Sequence, residues 1–419
     1  MIVSILILIL SLSIYAGYGI HGLLYLCGAA AVSYGIGLLI PKKRWLLWLG
    51  VGANAAMLLL VKLEPITGIG ILAPLGISYF SLRIIAYMAD IYRGKYAPEK
   101  NFFRYALFVT YLPSLFFGPI QSYDTMGKAL TDRHFSWDGI SEGAARMLWG
   151  SFKKLVIASR VGVVVGTISA DPETYNGAYA LCAMILYYVQ LYCDFSGGID
   201  MVLGGSQMLG VHLKENFDAP YMAQSVQEFW RRWHMTLGTW LREYVYIPLG
   251  GNRKGKLRKV LNLLATFFVS GIWHGIEYLL WGVFNGIFVA FGAKLQTKSK
   301  TINRAGTFLL VSLLWSFFVW PDAMTAGKMM LSVFTTFNYS AFFATVGSLG
   351  LTFANWLILA GAVVMVVLYD VKAQSFRSWF TKRKPAMRTA VVCALALLVL
   401  VFGMYGIGFN AEGFIYSRF

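Results

Sequence analysis

The chain has 419 residues, of which 58% are hydrophobic and only 13% charged, with a mean hydropathy of +0.62. A soluble globular chain sits nearer half apolar and a quarter charged, so a water-soluble domain is excluded. The 36 Lys and Arg outnumber the 19 Asp and Glu for a net charge of +17, yet they fall between apolar runs as the positive-inside rule arranges them, which argues against nucleic acid as a partner.

Apolar runs recur in order at 2–16, 22–40, 45–61, 71–89, 105–120, 155–168, 178–193, 260–273, 276–292, 306–320, 350–369 and 389–408. Several reach the roughly 20 residues that carry a helix across hydrocarbon. Shorter or polar-bearing runs predict buried, broken or re-entrant helices. The expectation is an all-α, polytopic integral membrane protein of about ten to twelve membrane helices, including short, in-plane or re-entrant ones around a central cavity. No repeat, low-complexity tract or soluble segment divides the chain, so a single membrane domain is expected over 1–419. The first run has no basic residue before it and reads as a retained span rather than a signal peptide. The four cysteines (Cys27, Cys182, Cys193, Cys393) lie in apolar segments without metal-ligand spacing, so neither a metal site nor a disulfide framework is expected.

Basic clusters at Lys42–Arg44, Arg93–Arg104, Arg253–Lys259, Lys294–Arg304 and Lys372–Arg388 assign those loops to the cytoplasm. The long polar stretch 121–142 reads as an external loop, and His134 within it as solvated. His21 and His212, at segment ends, read the same way.

The run 181–211 is interrupted by Gln190-Leu-Tyr-Cys-Asp194-Phe-Ser-Gly-Gly-Ile-Asp200. Asp194 and Asp200 either wall a pocket or pair with a membrane-embedded Arg to hold helices together; the second reading is preferred for each alone. Segment 216–251 differs from everything around it. Asn216-Phe-Asp-Ala-Pro-Tyr221 breaks the preceding helix, and Ser225-Val-Gln-Glu228 matches a capping box. Phe229, Trp233, Leu237, Trp240, Leu241 and Tyr244 then repeat at helical spacing as one stripe. Too many charges accompany it for a lipid-facing span, so an in-plane or sheltered helix is expected.

Two of the five histidines occupy tryptophan-rich apolar settings: Glu228-Phe-Trp-Arg-Arg-Trp-His234 and Ser270-Gly-Ile-Trp-His-Gly275. Imidazole is the side chain best suited to moving protons near neutral pH, and an ionisable group at membrane depth points to function. At these residues the chain resembles the membrane-bound O-acyltransferase (MBOAT) family, on the branch of bacterial alginate O-acetylation and teichoic acid D-alanylation membrane proteins. The matching stretches run in order: Pro74-Leu-Gly-Ile-Ser-Tyr-Phe80, Asp90-Ile-Tyr-Arg-Gly94, Gly118-Pro-Ile120, Phe152-Lys-Lys154, Tyr192-Cys-Asp-Phe-Ser-Gly197, Glu228 through Gly251, Ser270 through Gly275, and Phe414-Ile-Tyr416. The joined Glu228–His234 and Tyr244–Arg253 stretches are closer to the polysaccharide O-acetylation branch. The chain departs from the family in a shorter N-terminal region and in its final Ser-Arg-Phe, which leaves any role of Tyr416 open.

The resemblance implies His274 as the essential histidine and His234 as the second motif histidine. A buried imidazole would take a proton from a sugar or polyol hydroxyl, and the oxygen would attack a thioester carbonyl. Trp233, Asn285 or backbone amides are candidate donors to the oxyanion. His234 acts directly or in support, and both readings stay open. Trp273 and Asp194 are candidate pocket residues, while Arg231 and Arg232 draw an anionic donor or snorkel to the interface. No bound cofactor is implied. The expected substrate is an acyl thioester, acetyl-CoA or acyl-carrier protein, on the cytoplasmic side, and the implied partner is an extracytoplasmic acyltransferase. The competing classes are D-alanyl transfer, a proton-coupled transporter or flippase (for which no inverted repeat is found), and a scaffold.

Overall fold

The computed structural model describes residues 2–405, all of whose regular elements are helical; Phe414-Ile-Tyr416 lies outside them. One wall is built from α1 (Ile2–Ala16), α2 (Ile20–Leu39), α3 (Leu46–Thr67) and α4 (Ile77–Tyr92). Three short helices follow: α5 (Phe102–Thr110), α6 (Pro113–Phe116) and α7 (Tyr123–Thr131). The centre holds α8 (Trp137–Phe152), continuing through a π-helical stretch Lys153–Ala158 into α9 (Ser159–Ala170), and the long α10 (Ala178–Met208). Beside them lie α11 (Val226–Arg232), α12 (Met235–Leu241) and the hairpin of α13 (Gly255–His274) with α14 (Leu279–Phe291). The chain continues through α15 (Lys300–Leu314), α16 (Ser316–Val319), α17 (Ala323–Thr335) and α18 (Tyr339–Thr345), then α19 (Phe353–Val371), α20 (Ala373–Thr381) and α21 (Pro385–Phe402).

Among the described residues, seven helices are long and apolar enough to cross a membrane, or eight if the pair around a 107° bend after Thr335 counts as one span. Shorter elements make up the rest of the layer, so the polytopic all-α expectation holds. The closest crossing is between α8 and α10. A Cβ added at Gly150 would collide with the Gly197 carbonyl, and one at Gly204 with the Gly143 carbonyl. Without a hydrophobic force between helices in lipid, such small-residue contact is how they pack.

Charges in this crossing are paired. Lys153 Nζ lies 2.6 Å from Asp200, whose carboxylate also meets Arg146 at 2.9 Å; Lys154 pairs with Asp194. Arg146 reaches on to Glu215 at 2.6 Å, and Glu215 is shared with Arg377 at 2.7 Å. The segments Phe152-Lys-Lys154 and Tyr192 through Asp200 are thus two halves of one ionic joint, in which Asp200 has the expected Arg partner and Asp194 a lysine instead.

One reading is corrected. The stretch 121–142 does not stand opposite the basic loops. Arg44 Nη2 donates to the Tyr92 carbonyl, and Arg93 Nη2 to that of Glu243. Tyr123 OH donates to Glu99 (2.5 Å), Arg133 to Ser4 Oγ (2.8 Å), and Arg388 Nη1 to Asp138 (2.7 Å). These bonds gather the basic loops and residues 121–138 on one face, which the positive-inside rule places in the cytoplasm. The physical reason is that 105–120 does not cross. Helix α5 spans only nine residues, the chain reverses around Pro113 and Gly118-Pro119, and α7 returns to the side it left.

Candidate active site

His234 owes its position to a break in what the sequence reads as one continuous helix. The Ser225 cap forms as expected, with Ser225 Oγ accepting from Glu228 N (3.1 Å) and Glu228 accepting from Gln224 N (2.9 Å). Helix α11 then ends at Arg232, Trp233 is extended, and His234 adopts left-handed φ 44°, ψ 50° before α12 begins. For a residue with a Cβ that conformation costs on the order of 1 kcal/mol or more. It persists because Asn216, fully buried, holds the corner. Met235 N donates to the Asn216 carbonyl (3.0 Å), while Thr236 N (3.0 Å) and Thr236 Oγ1 (2.9 Å) donate to its Oδ1. The backbone donor fixes which amide atom is the oxygen. His234 Nδ1, 3.2 Å from Oδ1, is therefore the protonated nitrogen, and Nε2 of the neutral ring is the acceptor.

His274 ends α13, about 30 Å of helix from the basic segment that starts it. Gly275 at φ 153° turns the chain into α14. The imidazole is 3% exposed and sits among rings, 4.7 Å from Trp273, 5.1 Å from Trp281 and 6.0 Å from Phe318. Trp273 is also 6.2 Å from His234, so one indole separates the two histidines. Its Nε1 donates to the Ser78 carbonyl (3.3 Å), and Tyr79 packs edge-on to it at 6.0 Å. Thr236 Oγ1, besides holding Asn216, accepts from Ile120 N at 3.0 Å. Four of the ordered motifs, at 74–80, 118–120, 228–234 and 270–275, therefore converge on this one volume.

Residues 98–336 match the family model of the membrane-bound O-acyltransferases. This chain belongs to that family. It is 36% identical over 403 residues to the probable alginate O-acetylase AlgI of Pseudomonas fluorescens, covering 92% of this chain and 79% of the relative. It is 30% identical to the peptidoglycan O-acetyltransferase of Helicobacter pylori, over 76% of this chain and 71% of the relative. The teichoic acid D-alanyltransferase of Streptococcus thermophilus is 28% identical, over 62% and 67%. The protein is a multi-pass membrane O-acyltransferase, and the transporter and scaffold readings fall away.

The remaining sequence candidates divide within this acyltransferase. Trp233 is fully buried among Phe217, Phe229 and Trp315 at 5.1–5.5 Å, and its Nε1 has no hydrogen-bond partner among the described residues. Asn285 accepts from Trp230 Nε1 (3.0 Å) and donates to the Trp281 carbonyl (2.9 Å); both ends of its amide are engaged, supporting the indole that packs on His274. Arg232 pairs with Glu228 (2.9 Å) and Asp218 (3.1 Å) on the rim, and Arg231 is exposed. Asp194 is the buried partner of Lys154. His21, His134 and His212 are exposed.

Three residues near the histidines have places in the site that the sequence does not assign. Asn216 reads only as a helix breaker, because its bonds to His234 and Thr236 span 18 and 20 residues. Tyr79 OH and both amide atoms of Gln121 are buried without a hydrogen-bond partner among the described residues. An unmet polar group in such a place costs about 1–3 kcal/mol, and a substrate is the natural way to recover it.

Proposed function

We propose that the protein transfers an acetyl group from a cytoplasmic thioester, acetyl-CoA or an acyl-carrier protein, to hydroxyls of a cell-surface polysaccharide, with His274 as general base. The observation that carries this is the pair of buried imidazoles bracketing Trp273, each 3% exposed or less. The acceptor hydroxyl gives its proton to the His274 imidazole as its oxygen bonds to the thioester carbonyl carbon. The tetrahedral oxyanion collapses, the C–S bond breaks, and the departing thiolate takes the proton back. Tyr79 OH and the Gln121 amide are the donors proposed to meet the oxyanion. His234, with Nδ1 held by Asn216, orients its neighbour or the acceptor. General-base catalysis supplies about 10²–10⁴-fold, and holding donor and acceptor together supplies the rest.

The donor is anionic and the cytoplasmic face is basic. Arg253, Lys254, Lys256 and Lys259 are all exposed, and a positive surface there raises the encounter rate of an anionic thioester in a salt-dependent way. The acceptor, or an extracytoplasmic acyltransferase that completes delivery to the polymer, meets the site from the opposite side. D-alanyl transfer is the competing reading; the acetylating relatives, at 36% and 30% identity against 28%, favour acetyl. Replacing His274 by Ala in cells should leave the protein in the membrane while ester-linked acetate on the surface polymer falls at least about 100-fold. Retained esters would remove His274 as the base, and ester-linked alanine in their place would identify the other donor.

A further inference from the structure

A second cavity, of about 520 Å³, lies between α8, α10, α19, α20 and α21 and shares no wall residue with the histidine site. It has two unlike ends. Trp149, Leu203, Met365, Leu395 and Leu398 make an apolar half, while Arg146, Gln207, His212, Glu215 and Arg377 make a polar one. The polar half is balanced internally: Glu215 is held by Arg146 and Arg377, and Glu142 accepts from Gln207 at 2.8 Å. Excess charge gathers instead at the rim. Thr381 of the wall runs directly into Lys382, Arg383 and Lys384, all exposed, and residues 372–388 hold Lys372, Arg377 and Arg388 besides, with no acid. The apolar half opens sideways between two spanning helices, where Met365 and Ala394 are exposed. Trp149 of its wall is 5% exposed.

We propose that this cavity binds an anionic glycerophospholipid of the cytoplasmic leaflet. One acyl chain fills the apolar half, and the phosphate lies against Lys382, Arg383 and Lys384. Basic pockets between helices on the cytoplasmic side suit anionic headgroups, each nearby cation contributing about 1 kcal/mol. An apolar half of this size is wasted on free phosphate. Occupancy bears on the reaction centre through the chain itself, because Glu215, tied into the polar half, immediately precedes the Asn216 that holds His234.

The test is native mass spectrometry of the full-length protein titrated with phosphatidylglycerol, phosphatidylcholine or inorganic phosphate. Phosphatidylglycerol should be retained about tenfold over phosphatidylcholine, and phosphate not at all. Lys382→Gln, Arg383→Gln and Lys384→Gln together should abolish the preference, whereas Ala394→Trp, or Leu395→Trp if the first does not fold, should abolish retention of both lipids. Equal retention of the two lipids, retention unchanged by filling the cavity, detergent as the sole occupant, or displacement of the lipid by acetyl-CoA would each overturn the proposal.

Discussion

The ionic joint between α8 and α10 and the histidine pair around Trp273 are both polar intrusions into an apolar protein, yet they are built on opposite principles. In the joint every charge has a partner: Lys153 and Arg146 on Asp200, Lys154 on Asp194, Arg146 and Arg377 on Glu215. Nothing is left there for a substrate to satisfy. Around the histidines, by contrast, His234 sits in a left-handed turn, and Tyr79 OH and the Gln121 amide lack partners among the described residues. A polar cluster in a membrane protein that closes on itself holds helices together. One that stays open is where a ligand completes it.

That contrast is breakable. The largest effect on stability is expected in the joint: Lys154→Ala removes the ion-pair partner of the buried Asp194 carboxylate and should cost about 3–5 kcal/mol, whereas Lys154→Met with Asp194→Leu should cost less than the single change. Thermal unfolding in detergent reads both, and an additive double substitution would show the joint is no pair. Tyr79→Phe and Gln121→Leu should behave oppositely. Each removes an unsatisfied group, so stability should hold or rise by up to about 1 kcal/mol, while thioester turnover falls roughly 10- to 100-fold. Lost stability with turnover intact would return both residues to the scaffold. The smallest expected change in stability is for His234→Asn, whose side chain tolerates the left-handed turn better than most, offsetting part of the packing lost with the ring. Retained fold with reduced turnover is expected; full activity would make the imidazole at 234 dispensable.

The chain's helices and its family were legible because apolar runs and ordered motifs are local. Ser225 and Glu228 announced their cap, and the lysines and aspartates of the joint sat in visible motifs. Three things were not legible, each for a physical reason. The run 105–120 has the hydropathy of a span but reverses at Pro113 and Gly118-Pro119, so composition alone sent 121–142 to the wrong face. The stripe from Phe229 to Tyr244 keeps helical spacing across a break that Asn216 imposes from 18 residues away. Likewise Asn285 has the chemistry of an oxyanion donor, but its Nδ2 donates to the Trp281 carbonyl and its Oδ1 accepts from Trp230. Non-local hydrogen bonds, rather than propensity, decide which polar groups stay open.

The central claim is that His274 is the base that drives acyl transfer. Its most direct measurement is thioester turnover with a soluble polyol acceptor by purified wild-type protein and His274→Gln, alongside thermal unfolding of each. The glutamine fills similar volume but cannot take a proton, so the account predicts turnover lower by about 10²–10⁴-fold with an unchanged unfolding temperature. Wild-type turnover by His274→Gln, or a loss explained by unfolding alone, would contradict it.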